Sequence, residues 1–210
     1  HEVSYILLCP CDSFDMKLYK TVESYTERFE DCVEHLAPYT DIWEVGNEIN
    51  GTEWIKQKSE LIVDKVSAVN EFIKNKGGKT AVTLYCTDSP QKDMIEWTEN
   101  NIPKTLSDSV DYCFVSYYED DNGGYSPKWK SIFKKLGNIF PSAYLGIGEC
   151  GNTAQNATEK SKIEMAKKYY GMPKLHKRFV GGYFWWNWVE DCIPSKNNKV
   201  YETINNYGFD

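Results

Sequence analysis

No run of the 210-residue chain approaches the 18 or so apolar residues of a membrane-spanning helix, and Val3 to Leu8 is only strand length. Positive charge is the minority sign: 24 Lys and Arg face 31 Asp and Glu. The resulting net charge of −7 argues against nucleic acid or an anionic membrane surface as partner. There is no CxxC pair, and Cys9-Pro-Cys11 is too tightly spaced for the usual zinc site. No other cluster has metal-ligand spacing, so neither metal nor cofactor is expected. No glycine-rich phosphate loop follows the first strand-like run, which weakens a nucleotide-binding reading. Low-complexity segments and composition breaks are also missing, so residues 1–210 read as one domain with room for a full core. The chain opens on His1 without an initiator Met or a signal peptide. The expectation is a processed mature form or a cloned segment.

Cysteines and aromatics are present in quantity. Seven cysteines stand at 9, 11, 32, 86, 113, 150 and 192, an odd count that leaves at least one unpaired within the chain. Cys86, Cys113 and Cys150 fall in or just after apolar runs and read as buried free thiols. Aromatic residues make up 15% of the chain, with seven Trp and fifteen Tyr. Most belong to a core, but sugar rings pack their apolar C–H faces on aromatic surfaces, so the excess suits a carbohydrate site. Asn50-Gly-Thr52 and Asn156-Ala-Thr158 are glycosylation sequons.

The chain alternates between short apolar runs and segments with helical periodicity. Strands are expected at 3–8, 42–46, 80–85, 111–118, 143–148 and 179–186. Helices are expected at 17–36, 54–74, 91–101 (with Pro90 suited to its first turn), 127–136 and 157–170, with a last short one from Lys199. Six βα units with dense apolar strands predict a parallel sheet covered on both faces. Strict alternation leaves a doubly wound open sheet or a TIM-type (β/α) barrel. Without a phosphate loop the barrel is favoured, reduced to about six units.

Two glutamates end strand-like runs, Glu48 in Asp41-Ile-Trp-Glu-Val-Gly-Asn-Glu48 and Glu149 in Ala143-Tyr-Leu-Gly-Ile-Gly-Glu149. Parallel barrel strands share the face at their C-terminal ends, where barrels build active sites. Two carboxyl groups there fit cleavage of a glycosidic bond: one protonates the leaving oxygen, and the other attacks the anomeric carbon or activates water.

Trp43-Glu-Val-Gly-Asn-Glu48 resembles the acid/base signature of clan A glycoside hydrolases, retaining (β/α)8 barrels. In that clan an Asn-Glu pair ends strand four, the nucleophile Glu ends strand seven, and an aromatic residue ends strand eight. Asn47-Glu48, Glu149 and Trp186 within Gly182-Tyr-Phe-Trp-Trp-Asn187 match in that order, over about residues 40 to 190. The resemblance implies Glu48 as acid/base and Glu149 as nucleophile, with carboxyl carbons about 5–5.5 Å apart. It implies that Asn47 contacts the sugar 2-hydroxyl, that Trp186 floors the subsite with Asn187 beside it, and that Tyr117 or Tyr118 holds Glu149. Trp54 is either a sugar-stacking platform or a helix-start hydrophobe. Glu44 reads as a buried, paired acid, and Trp97 and Trp129 as helix-borne core. Asp12, Asp88, Glu119, Asp120, Glu190 and Asp191 follow strands on the same face.

One departure is plain. Three units should precede Glu48, yet the residues before it have room for one. The first run therefore matches strand three, so the expectation is either a segment of a longer protein or a shrunken barrel without strands one and two. The Arg that clan members place near strand two has no counterpart, since Arg28 and Arg178 lie elsewhere. The first expectation is thus a secreted, retaining endo-β-glycanase acting on a polysaccharide or oligosaccharide. The second is a non-catalytic glycan-binding protein on a degraded barrel, and the third an unrelated α/β protein. An open barrel edge calls for a compensating closure or a homodimer.

Overall fold

A computed structural model describes residues 5–87 and 93–207. Six strands, β1 (Leu7–Leu8), β2 (Ile42–Gly46), β3 (Lys79–Tyr85), β4 (Tyr112–Tyr117), β5 (Tyr144–Gly151) and β6 (Phe179–Trp186), pair in chain order. Every pairing is parallel. The sheet curls into a half-barrel with β1 and β6 as its edges, a partial TIM-type α/β fold. Between and after the strands run α1 (Val22–Leu36), α2 (Thr52–Ile55), α3 (Ser59–Asn75), α4 (Met94–Asn101), α5 (Lys104–Ser109), α6 (Trp129–Ile139), α7 (Glu159–Tyr170), α8 (Trp188–Cys192) and α9 (Lys199–Asn205). Among the described residues no helix is long and apolar enough to cross a membrane.

Local chemistry explains where these elements depart from the periodicity. Among the described residues of the first run only Leu7 and Leu8 are in the ladder, and Pro10, which has no N–H to donate, comes two residues later; Val3 and Ser4 lie outside the described residues. The helix expected from Lys17 starts at Val22, where Thr21 and Ser24 form a reciprocal capping box. The helix expected from Trp54 is broken at Lys56, whose φ of 54° lies in the left-handed region, into α2 and α3. The short helices α5 and α8 carry too few residues for a periodic signal. Pro90 and Asp88 lie outside the described residues.

Outward-facing side chains of the strands, including Trp43, Val45, Val82, Leu84, Cys113, Val115, Leu145 and Ile147, pack with the helices into the main core. All seven cysteines are free thiols; Cys9 is exposed and the rest are buried. The concave face is layered. Its floor is apolar, with Ile42, Ala81 and Phe114 joined by Leu7 and Tyr112. Above that floor Glu44, Thr83 and Ser116 form a polar layer, and Gly148 leaves the space they need. A Cβ on Gly148 would lie 2.9 Å from Ser116 Oγ and 3.1 Å from Thr83 Cγ2. Part of this face is open: Tyr144, Val180 and Phe184 are 50%, 49% and 40% exposed.

Candidate active site

Glu48 follows β2 in a turn, with its backbone in the left-handed region at φ 44°. A non-glycine residue rarely sits there, at a cost on the order of 1–3 kcal/mol, and such outliers gather at functional sites. The turn is closed by Gly51 N–H donating to the Glu48 carbonyl at 2.8 Å. The side chain is buried and accepts a hydrogen bond from Ser116.

Glu149 reaches the same place by a different device. Strand alternation would send it outward with Ile147. However, β5 pairs Ile147 with Val115 but Cys150 with Tyr117, which puts one extra residue into β5. This β-bulge turns Glu149 into the concave face. Its N–H donates to Ser116 Oγ at 3.1 Å, so Ser116 touches both glutamates. Tyr118 Oη donates to Glu149 Oε2 at 2.7 Å, and Asn47 Nδ2 donates to Oε1 at 3.3 Å. Asn47 Nδ2 also donates to Glu44 Oε1 at 3.4 Å, while its Oδ1 accepts the Ser13 N–H at 3.2 Å. Glu44 lies one layer below and is bonded to the Thr83 hydroxyl and the Cys9 thiol.

Two buried carboxyl groups and a half-buried third that share these partners cannot all ionise cheaply. Burial first, then the charges of Glu149, Asp12 and Glu44, push Glu48 up to about 8 against the Ser116 hydrogen bond. Burial also lifts Glu44 to about 7. Glu149 is raised by burial too, but the Tyr118 and Asn47 hydrogen bonds pull it back. The environments thus separate the pair into a proton holder, Glu48, and the better-supported anion, Glu149. That is the division of labour that acid–base chemistry between two carboxyls requires.

The other anticipated residues divide. Of the two tyrosines, Tyr118 contacts Glu149. Tyr117 points into the helical layer, where it is fully buried, packs edge-on against Trp129 and donates to the Tyr125 carbonyl at 2.5 Å. Trp54 is half-buried on α2; its Nε1 donates to Ser13 Oγ at 3.0 Å, and its ring meets Phe14 and Tyr85 at 6.2 and 5.4 Å between centroids. Gly51 makes room for that ring, since a Cβ there would fall 2.0 Å from it. Trp186 ends β6 with 47% of its surface exposed. Asn187 caps α8, its Oδ1 accepting the Val189 N–H at 3.0 Å. Trp129 is core, but Trp97 lines a groove rather than the core centre. Arg28 donates to the Pro10 carbonyl, and Arg178 to the carbonyls of Phe140 and Gly137. Neither hydrogen-bonds Glu149. Sequence reasoning missed Ser116, Thr83 and Ser13, common residue types with no spacing signal. Period-two alternation from Phe114 would have found Ser116 and chosen Tyr118 over Tyr117.

No protein-family model and no curated protein matches the chain. Solved structures do. An endo-β-1,3-glucanase of GH128 (subgroup I) from Amycolatopsis mediterranei, in complex with laminaritriose, is similar with a TM-score of 0.59 at 10% identity. That match covers 97% of this chain and 83% of the other. A GH10 xylanase from Thermobacillus composti matches at 0.54 and 11% identity, over 89% and 69%. A family 1 β-glucosidase from Thermotoga maritima matches at 0.53 and 10%, over 83% and 59%, so this chain spans under two thirds of its length. At such identities the likeness shows the fold, a partial TIM-type α/β barrel.

Proposed function

We propose that the chain is a retaining glycoside hydrolase that cleaves β-glycosidic bonds in a polysaccharide. The observation that carries this reading is the cluster of Glu48 and Glu149 around Ser116, with Tyr118 and Asn47 on Glu149. In this reading Glu149 attacks the anomeric carbon while Glu48 gives its proton to the leaving oxygen. Forming the glycosyl-enzyme neutralises Glu149 and removes the charge that helps hold Glu48 protonated. Glu48 can then act as base toward water. Trp186, exposed at the end of β6, would offer the sugar a flat apolar face. Action within a polymer chain, and secretion to where such polymers occur, belong to the same proposal. Laminarin, a β-1,3-glucan, is the first substrate to try, given the ligand in the Amycolatopsis structure.

The test is reducing-sugar release from β-glucans, mannans, xylans and galactans by the native chain and Glu149→Gln. Release that disappears in the variant supports the reading; release that persists contradicts it. A second reading, a non-catalytic glycan-binding protein, is favoured by one observation: neither arginine hydrogen-bonds Glu149. Binding to a polymer without release of sugar would select it.

A further inference from the structure

Lys65, on α3, is fully buried, yet among the described residues no carboxylate pairs with it. A cation out of water needs an opposite charge or several acceptors in its place. Here oxygens do that work: Lys65 Nζ donates to the Met16 carbonyl at 3.4 Å, to the Tyr19 carbonyl and to Gln57 Oε1 at 2.6 Å. Gln57 Nε2 donates to the same two carbonyls at 3.4 and 3.0 Å. On its other side the amine stands 5.6 Å from the centre of the Tyr25 ring, whose hydroxyl donates to the Val45 carbonyl of β2 at 3.1 Å. Lys65 thus joins the loop after β1 to a support of the strand that leads to Asn47 and Glu48.

The near end of that loop reaches the carboxyl groups. The Asp12 carbonyl accepts the N–H groups of Asp15 and Met16 at 3.0 and 3.1 Å, and a short 3-10 turn follows at Met16–Leu18. Residues 12–19 are therefore one closed unit, which carries Ser13. The Ser13 N–H is the only donor to Asn47 Oδ1 among the described residues, while Asn47 Nδ2 donates to Glu149. We propose that Lys65 is a positioning residue for the carboxyl pair: by anchoring residues 12–19 it keeps Ser13 on Asn47, and so keeps the Asn47 nitrogen turned toward Glu149. The proposal rests on the glycosidase reading only for what the pair does. With the turn released, Oδ1 loses its donor and the amide is free to rotate, which takes one hydrogen bond from the Glu149 anion. Asp12 rides on the same turn, and its charge acts on Glu149 in the opposite sense, but less than the Asn47 bond does.

The experiment follows the Glu149 carboxyl by carbon-13 NMR through a pH titration of the native chain, Lys65→Met and Val69→Ala. Lys65→Met keeps the length of the side chain and removes its donors. Its expected result is a Glu149 midpoint about half a pH unit or more above the native one. The amides of residues 13–19 should also exchange with solvent at least about tenfold faster. Val69→Ala, a buried change on the same helix, costs stability without touching the turn and should move neither readout. Gln57→Leu, at a half-buried position, removes the second donor to the same carbonyls and should shift the midpoint the same way by less. It carries the test if Lys65→Met does not fold. A midpoint unmoved in Lys65→Met, or in Gln57→Leu where the first variant is unfolded, would overturn the proposal, as would an equal shift in Val69→Ala. Neither readout needs turnover, so a chain that releases no sugar yet shows the shift would remove the hydrolase reading and leave the hold of Lys65 on the pair standing.

Discussion

Tyr118 and Glu48 carry most of the chemistry that single residues can test. The Tyr118 hydroxyl stabilises Glu149 as an anion, so Tyr118→Phe should raise the Glu149 pKa and move the acidic limb of the activity profile to higher pH. The lost hydrogen bond to a charged group is worth roughly 1.5–3 kcal/mol, a fall of about tenfold to a hundredfold in kcat. Tyr117→Phe, made in the helical layer, should leave the profile unmoved; pH-rate curves of the two variants decide the matter. Glu48 gives a stability prediction of unusual sign for a carboxyl. Its folded pKa, about 8, lies above its ordinary 4.5, so the folded chain binds the extra proton between those values. Stability is therefore full below about pH 4.5 and falls as pH rises toward 8. Glu48→Gln should flatten that slope and raise Tm at pH 8, by a free energy on the order of a few kcal/mol. Thermal melts from pH 5 to 8 check it, and an unchanged slope would contradict the assignment. The sequence showed both glutamates because each ends an apolar run. It could not show their partners, because Ser116 and Thr83 are recognised only once strands are in register.

At the scale of elements, the site depends on two local irregularities, the positive-φ turn at Glu48 and the bulge before Cys150. Regular strands were legible from apolar density, and the six parallel units follow from alternation. The bulge was not legible: two-residue periodicity carried past Ile147 places Glu149 on the outer face with the core. Helix splitting at Lys56 was likewise hidden, since helical periodicity continues across it. Gly148 is where β5 and the polar layer meet most closely. Gly148→Ala should displace Ser116, which supports both glutamates, costing about 1–3 kcal/mol of stability and at least tenfold in activity. Denaturant unfolding and kinetics together test this, and full activity in the variant would show that Ser116 positions neither carboxyl.

For the whole molecule, the open edges of the sheet set the behaviour. A half-barrel leaves β6 as an edge with Phe184 and Val180 exposed on the concave side. Edges of this kind invite pairing, so self-association through β6 is the expected outcome. Light scattering of the native chain should show a species larger than one chain, and Phe184→Glu should return it to a monomer. A native chain that is monomeric at all concentrations would show that the edge is tolerated.

The measurement that bears most directly on the central claim is the anomeric form of the first sugar released from laminarin, followed by proton NMR. A retaining pair predicts initial β-anomer that later mutarotates, and none from Glu149→Gln. Initial α-anomer, or equal release from the variant, would contradict Glu149 as nucleophile.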